Sequence, residues 1–484
     1  MSEDLEINQA SPQKSIFLDT FKVKFEDNDP KNPKNYSPSH KVFLVIQMAL
    51  LALAGSLGSS ITSPAVASIA EYTHTTSEVT ALTVALFVLG WAFGPMIWAP
   101  ISEVYGRRIG MLPAIFILGL FSIGTATSRS ATAIFLTRFF GGIFASAPIS
   151  NVPAALGDIF DPVSRGNAMT IVAFCITGGP TLGPIIGSAL TVNARLGWRW
   201  TEYVEAILVF ILFFMCAFFL PETYAPVLLK QKAQHLRRST GDQRYWHPHE
   251  KEKIELSTVV SKRLARPLKM LFMEPMVTCL ALYASFTYSL IYLVLEVFPI
   301  VFKENRKWSL VLSTLPFLSI LVGVGCAVFI NFANQPRYKR AVKANCGRAV
   351  PEARLPPIIV GAILLSAGLF WFGWTAAPKY PWPLPVIAAG FIGAGFNIAF
   401  QQCLNFLVDT YGPYAASAVS ANTILRSVLA CAMPMAARPM FVNLGIGPAA
   451  SLLGGISCLA LPVPLLFMRY GAALRRNSKF VDGE

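Results

Sequence analysis

Charge is what this sequence most lacks. Only 14% of its 484 residues are Asp, Glu, Lys or Arg, against 54% hydrophobic, where a soluble chain carries about 25% charged residues. That deficit excludes an ordinary soluble globule and puts most of the length where ions are costly. The eight cysteines form no CxxC pair and read as small buried hydrophobes, which leaves no zinc, haem or redox site to expect. HExxH, GxxxxGK[ST] and the hydrolase elbow are also missing, so neither an enzyme nor a nucleotide-driven pump has a motif to rest on, and no cofactor is expected. Residues 1–41 have no apolar core of a signal peptide; they are polar and rich in Asp, Asn, Lys and Pro, and read as a disordered tail.

What is present is a series of long apolar runs. Windows long enough to cross roughly 30 Å of hydrocarbon fall at 42–66, 79–99, 109–127, 131–153, 168–190 and 203–220, and again at 277–298, 309–331, 357–376, 384–407, 414–436 and 448–468. The expected fold is therefore an all-α membrane protein of twelve spans. A six-helix bundle over 42–220 and another over 277–469 are joined by a polar loop at 221–276, with a second tail at 470–484. The formal charge of +14 does not point to nucleic acid, because the basic residues sit in the loops between apolar runs and suit a surface of anionic lipid. With the amino terminus inside, 30 of the 40 Lys and Arg lie on the inner side, 8 on the outer side and 2 within spans. Both termini are thus expected in the cytoplasm.

The windows contain four charged residues: Arg138, Glu205, Glu296 and Arg426. Each is expensive in hydrocarbon and needs a partner or a task. Glu205 lies near the interface, where snorkelling or a pair with Arg199 would satisfy it. Tyr288, Tyr292 and Glu296 recur every fourth residue on one face of span 7. Glu296 there reads either as a proton carrier or as a structural group near the end of the span, capping it or paired with Lys303. Asn397, Gln401 and Asn405 share a face of span 10, flanked by Gln402. They either bond neighbouring helices or line a polar cavity, and the cavity is expected, since adjacent glutamines are not expected to bury against one partner. Asn422 and Arg426 are four apart on span 11, and Arg426 reads equally as a structural tie or a substrate contact.

Span 5 contains Gly178-Gly-Pro-Thr-Leu-Gly183-Pro184-Ile-Ile-Gly187. Small residues at 179, 183 and 187 allow a close helix approach, and Pro184 offers a hinge. This run resembles motif C of antiporters in the major facilitator superfamily. Other runs are similar to the family's signatures: Glu103-Val-Tyr-Gly106-Arg107-Arg108 after span 2, Arg138-Phe-Phe-Gly-Gly142 in span 4, and Asp158-(x6)-Arg165-Gly166 after it. Arg337-Tyr-Lys-Arg340 looks like a degenerate copy of the first. Trp198-Arg-Trp200, Pro221-Glu-Thr-Tyr-Ala-Pro226, Glu296-Val-Phe-Pro299 and Tyr414-Ala-Ala-Ser-Ala418 resemble the fungal twelve-span drug:proton antiporters.

The resemblance implies two pseudo-symmetric bundles around a cavity lined by spans 1, 4, 7 and 10. It also implies a monomeric, proton-coupled exporter of a hydrophobic or amphipathic organic compound in the plasma membrane, interacting with protons, that small substrate and lipid. Arg138 and Glu296 are expected to couple the proton, alternating as partners. The loop residues Glu103, Gly106, Arg107, Arg108, Asp158 and Arg165 are expected to gate. A facilitator or importer of a polyamine, sugar or organic acid is the alternative, and a non-transporting receptor a third.

The basic-residue asymmetry predicts that protease added outside intact cells spares 221–276 and that the Asn35-Tyr-Ser37 sequon stays unglycosylated. External cleavage in that loop would reverse the orientation.

Overall fold

The computed structural model describes residues 21–250, 265–345, 350–411, 414–476, 478 and 480. A chain in hydrocarbon has no water to satisfy its backbone, so each apolar run closes its hydrogen bonds within a helix. Twelve spans result: Pro38–Leu57, Ser77–Tyr105, Arg107–Thr127, Ala131–Ile159, Ser164–Val192, Arg199–Phe219, Pro275–Asn305, Leu310–Ala344, Pro351–Thr375, Pro383–Tyr411, Ser417–Leu444 and Ile446–Gly471. They are called spans 1 to 12 below. The first begins at Pro38, within the segment expected to be tail, and the seventh runs past Pro299 to Asn305 rather than ending near Glu296.

The amino-terminal segment corrects the expectation of disorder where it is described. Val23 N–H donates to Trp246 O (3.1 Å) and Trp246 N–H to Phe21 O (3.1 Å), so the segment lies along the central loop. Lys232, on the helix Ala225–Thr240, donates to Asp29 at 2.8 Å and holds its carboxyl below the usual range. A lowered carboxyl keeps this clasp above the ordinary Asp range and releases it only as pH falls through the depressed value. Between this helix and spans 3 and 6 runs a groove of about 1200 Å³, lined by Arg108, Phe116, Phe213 and Lys232 among others. Residues 1–20 and 251–264 lie outside the described residues.

The two halves meet along spans 2 and 11 and spans 5 and 8. Within the first half, span 5 lies on span 1 through its glycines. A Cβ on Gly179 would strike Ser56 and Leu57, one on Gly183 would strike Ser60 and Ile61, and one on Gly187 would meet Ile61. The helix runs unbroken through Pro180 and Pro184. Several of the atoms in the way are backbone, so a side chain at 183 must push two helices apart.

Gly183→Val is expected to abolish transport and lower the thermal unfolding midpoint by the equivalent of about 1–3 kcal/mol. Gly178→Ala is expected to be tolerated, because its nearest neighbours are two leucine methyls at 3.5 and 3.8 Å.

Candidate functional site

Spans 7, 10 and 11 converge at mid-depth on a cluster of rings and amides. Tyr288 and Tyr292 are fully buried. The Tyr288 ring lies 5.2 Å from Phe400 and 5.7 Å from Phe396, and the Arg426 guanidinium sits 4.5 Å over Tyr288 and 5.1 Å over Phe400. Arg426 is tied neither to a carboxylate nor to a helix carbonyl among the described residues, and its Nε has no acceptor. Asn397 and Asn422 are buried with both amide atoms unpartnered, as is Gln47 of span 1. Each unsatisfied buried group costs about 1–3 kcal/mol, so these side chains are expensive to leave unpaired. The Tyr292 hydroxyl and Ser59 Oγ, 3.0 Å apart, tie the cluster to the opposite half.

The glutamines behave otherwise than expected. Asn331 of span 8 donates to Gln401 Oε1 (3.0 Å) and accepts from Gln402 (2.8 Å). Adjacent glutamines do share one partner, because a primary amide offers a donor to one and an acceptor to the other. Gln401 also reaches Thr170 of span 5 at 3.5 Å, across the halves. Asn405 is only partly buried, two turns beyond Asn397 and outside the cluster.

Arg138 does not meet Glu296. It is buried in the first half, where its Nε donates to Thr83 O (2.9 Å), one terminal nitrogen donates to Glu202 Oε1 (2.9 Å) and the other to Gly58 O. Glu205 lies 3.8 Å away, and the guanidinium stacks 4.2 Å over Phe87. Glu205 therefore pairs with Arg138 and not with Arg199, which instead donates to Ala126 O (3.0 Å) and covers Tyr72. One guanidinium faces two carboxylates, all wholly buried. With both carboxylates ionised the group carries a net negative charge; with one protonated it is neutral. Glu296 instead borders a separate cavity of about 170 Å³ with Lys303, Glu304 and Arg438, at the end remote from the termini.

On the face that carries the termini, Gly106 takes a φ of +103° that suits glycine, and the Glu222 carboxylate lies against it. Glu222 accepts from the backbone N–H groups of Arg107 (2.9 Å) and Arg108 (3.1 Å), so an acid caps the amino end of span 3. The Arg107 side chain donates to Asp158 at 2.7 Å and to Ser102 at 3.0 Å. Arg108 donates to Ala217 O, Glu103 is partly buried in the last turn of span 2, and Arg165 lies beside Gly157. The second half repeats the pair: Arg354, in the first turn of span 9, donates to Asp409, at the end of span 10, at 3.0 Å. Tyr338 of the Arg337–Arg340 run donates to the same Asp409 oxygen at 2.7 Å. The second-half counterpart of Arg107 is thus Arg354, outside that run.

The sequence model described as the Major Facilitator Superfamily matches residues 48–434. The chain belongs to the major facilitator superfamily. Among curated proteins this carrier is 39% identical over 467 residues to the major facilitator superfamily multidrug transporter FLU1 of Candida albicans, covering 96% of this chain and 76% of that one. It is 41% identical over 460 residues to the efflux pump bik6 of Gibberella fujikuroi, covering 95% and 94%. The proton:xylose symporter XylE superposes with a TM-score of 0.64 at 17% identity, covering 90% of this chain and 96% of that one, which concerns the fold alone.

Reading this facilitator from sequence misses Glu202, which lies one residue before the sixth apolar window although it shares a helical face with Glu205 three residues on. It also misses Glu222 as a cap, Asn331 and Thr170 as amide and hydroxyl partners of the glutamines, and the unpartnered amide of Gln47. Arg138 was expected to serve coupling rather than folding, but its hold on three other helices makes it structural.

Arg138→Met alone is expected to cost about 3–5 kcal/mol by stranding two buried carboxylates. Adding Glu202→Gln and Glu205→Gln should recover most of that loss, read as the thermal unfolding midpoint of the purified protein. No recovery would mean that the cost lies in the backbone carbonyls Arg138 holds.

Proposed function

We propose that this carrier exports a hydrophobic or amphipathic organic compound, such as a drug, toxin or secondary metabolite, from a fungal cell in exchange for protons. It does so as a monomer in the plasma membrane with both termini in the cytoplasm, by alternating access and without altering its cargo. The observation that carries this reading is Arg426 over the Tyr288 and Phe400 rings, with the unpartnered Asn422 one turn before it on span 11 and the unpartnered Asn397 about one turn before Phe400 on span 10. Rings receive an apolar body, and the amides gain the partners they lack. The names of the relatives, multidrug transporter and efflux pump, support export over import. The pairs Arg107–Asp158 and Arg354–Asp409 hold the terminus-bearing face in one state and part in the other.

Coupling is assigned to Arg138, Glu202 and Glu205 in place of Arg138 and Glu296. Arg138 holds the carbonyl of Gly58, and the next residue, Ser59, holds Tyr292 in the cargo cluster. Gain or loss of a proton on the paired carboxylates changes the grip of Arg138 on span 1, and span 1 carries that change to Tyr292. A proton thereby biases which state the halves adopt.

The test is uptake into inside-out vesicles with an imposed acid lumen, using Nile red, rhodamine 6G and fluorescein as cargo. Gradient-dependent uptake of at least one is expected. In Glu205→Gln it should fall about tenfold, to the rate without a gradient, while Glu296→Gln keeps its response. Uptake independent of the gradient in the wild type would contradict proton coupling, and the reverse pattern in the variants would return coupling to Glu296.

A further inference from the structure

We infer that the cargo carries an acidic group and docks on Arg426 as an organic anion. This rests on the reading of the central cluster as the cargo site. Among the described residues three arginines are buried: Arg107, Arg138 and Arg426. The first two each face a carboxylate, Asp158 at 2.7 Å and Glu202 at 2.9 Å. Among the described residues Arg426 faces none. Its neighbours are the faces of two aromatic rings, and its Nε lacks an acceptor.

Other buried or partly buried acids are committed elsewhere. Glu202 and Glu205 belong to Arg138, Asp409 to Arg354 and Tyr338, and Glu274 accepts from Tyr411 at 3.3 Å. Glu296 lies two helical turns from Tyr288 and borders the cavity of Arg438 and Lys303. A guanidinium held in hydrocarbon without a counter-ion is expensive. Its planar fork is matched by a planar oxyanion that takes two parallel hydrogen bonds.

The surroundings complete a description of the ligand. Asn422, one turn before Arg426 on span 11, and Asn397 on span 10 offer unpartnered amides to further oxygens. Phe396 and Phe400, stacked 5.8 Å apart, and Tyr288 offer faces to an aromatic or aliphatic body. A permanent cation would meet the like charge of Arg426, which selects against it. The cargo class is thus an amphipathic carboxylate or similar oxyanion with a flat apolar body.

Two probes that share one apolar body test this: 1-pyrenebutyrate and 1-pyrenebutanol, which differ only at the carboxylate. Binding to the full chain in nanodiscs at pH 7.5 is read by energy transfer from tryptophan to pyrene, corrected for partition into empty nanodiscs. The wild type is expected to bind the acid about tenfold more tightly than the alcohol. Arg426→Gln should erase that preference by weakening binding of the acid about tenfold, with monodisperse elution on size exclusion reporting that the variant is folded, and Arg426→Lys should keep part of it. Equal affinity in the wild type, binding of neither probe, or a preference that survives Arg426→Gln would overturn the inference. If the preference holds but no gradient drives uptake in vesicles, the proton-coupled export reading falls and the anion site stands. If gradient-driven uptake holds without the preference, only the anion site falls.

Discussion

A polar group inside a bilayer has no water to fall back on, so its partner must come from the protein or from what the protein binds. Most of the architecture follows from that constraint. The backbone closes into twelve helices, serine and threonine hydroxyls turn back on carbonyls of their own helix, and Asn331 satisfies two glutamines at once. The pairing is not complete, and unpartnered buried atoms also occur elsewhere, as on Trp91 and Tyr283. Asn397, Asn422, Gln47 and Arg426 have polar atoms without partners, and the residues of spans 10 and 11 among them gather around the rings at the junction of the halves.

The same constraint explains why Arg138 serves two ends. A buried guanidinium must be surrounded by acceptors, and here they come from spans 1, 2 and 6. A residue that joins so many elements stabilises the bundle, and the coupling role proposed for it rests on the same contacts. The adjacency of Gly58 and Ser59 makes that concrete, since one residue is held by Arg138 and the next by Tyr292. A second carboxylate beside the first gives the group a protonated and a deprotonated state of different net charge.

Apolar length alone was enough to read the twelve spans, because hydrocarbon thickness sets the run. Arg138, Glu296 and Arg426 were visible for the same reason, as charges where charge is costly. Their partners were not, because pairing depends on how helices rotate and approach. Glu202 escaped by lying one residue outside a window, and Glu222 because a loop acid gives no sign of which helix end it will cap. The glutamines misled through a count of partners that ignored the two-sided chemistry of an amide. Glu296 was expected to partner Arg138 because the resemblance puts spans 4 and 7 on one cavity, yet the structure separates them and sets Glu296 beside a cavity shared with Lys303, Glu304 and Arg438. The repeat of Arg107–Asp158 as Arg354–Asp409 was hidden because Arg354 lies outside the run that resembles the first loop.

The most direct measurement of the central claim is a cryo-electron-microscopy structure of the full chain in nanodiscs with bound 1-pyrenebutyrate. The account predicts the pyrene body against Tyr288 and Phe400, with its carboxylate on Arg426 and within hydrogen-bond reach of Asn422 or Asn397. Probe density confined to the groove beside Arg108 and Phe213, with Arg426 and the two amides still unengaged, would contradict it.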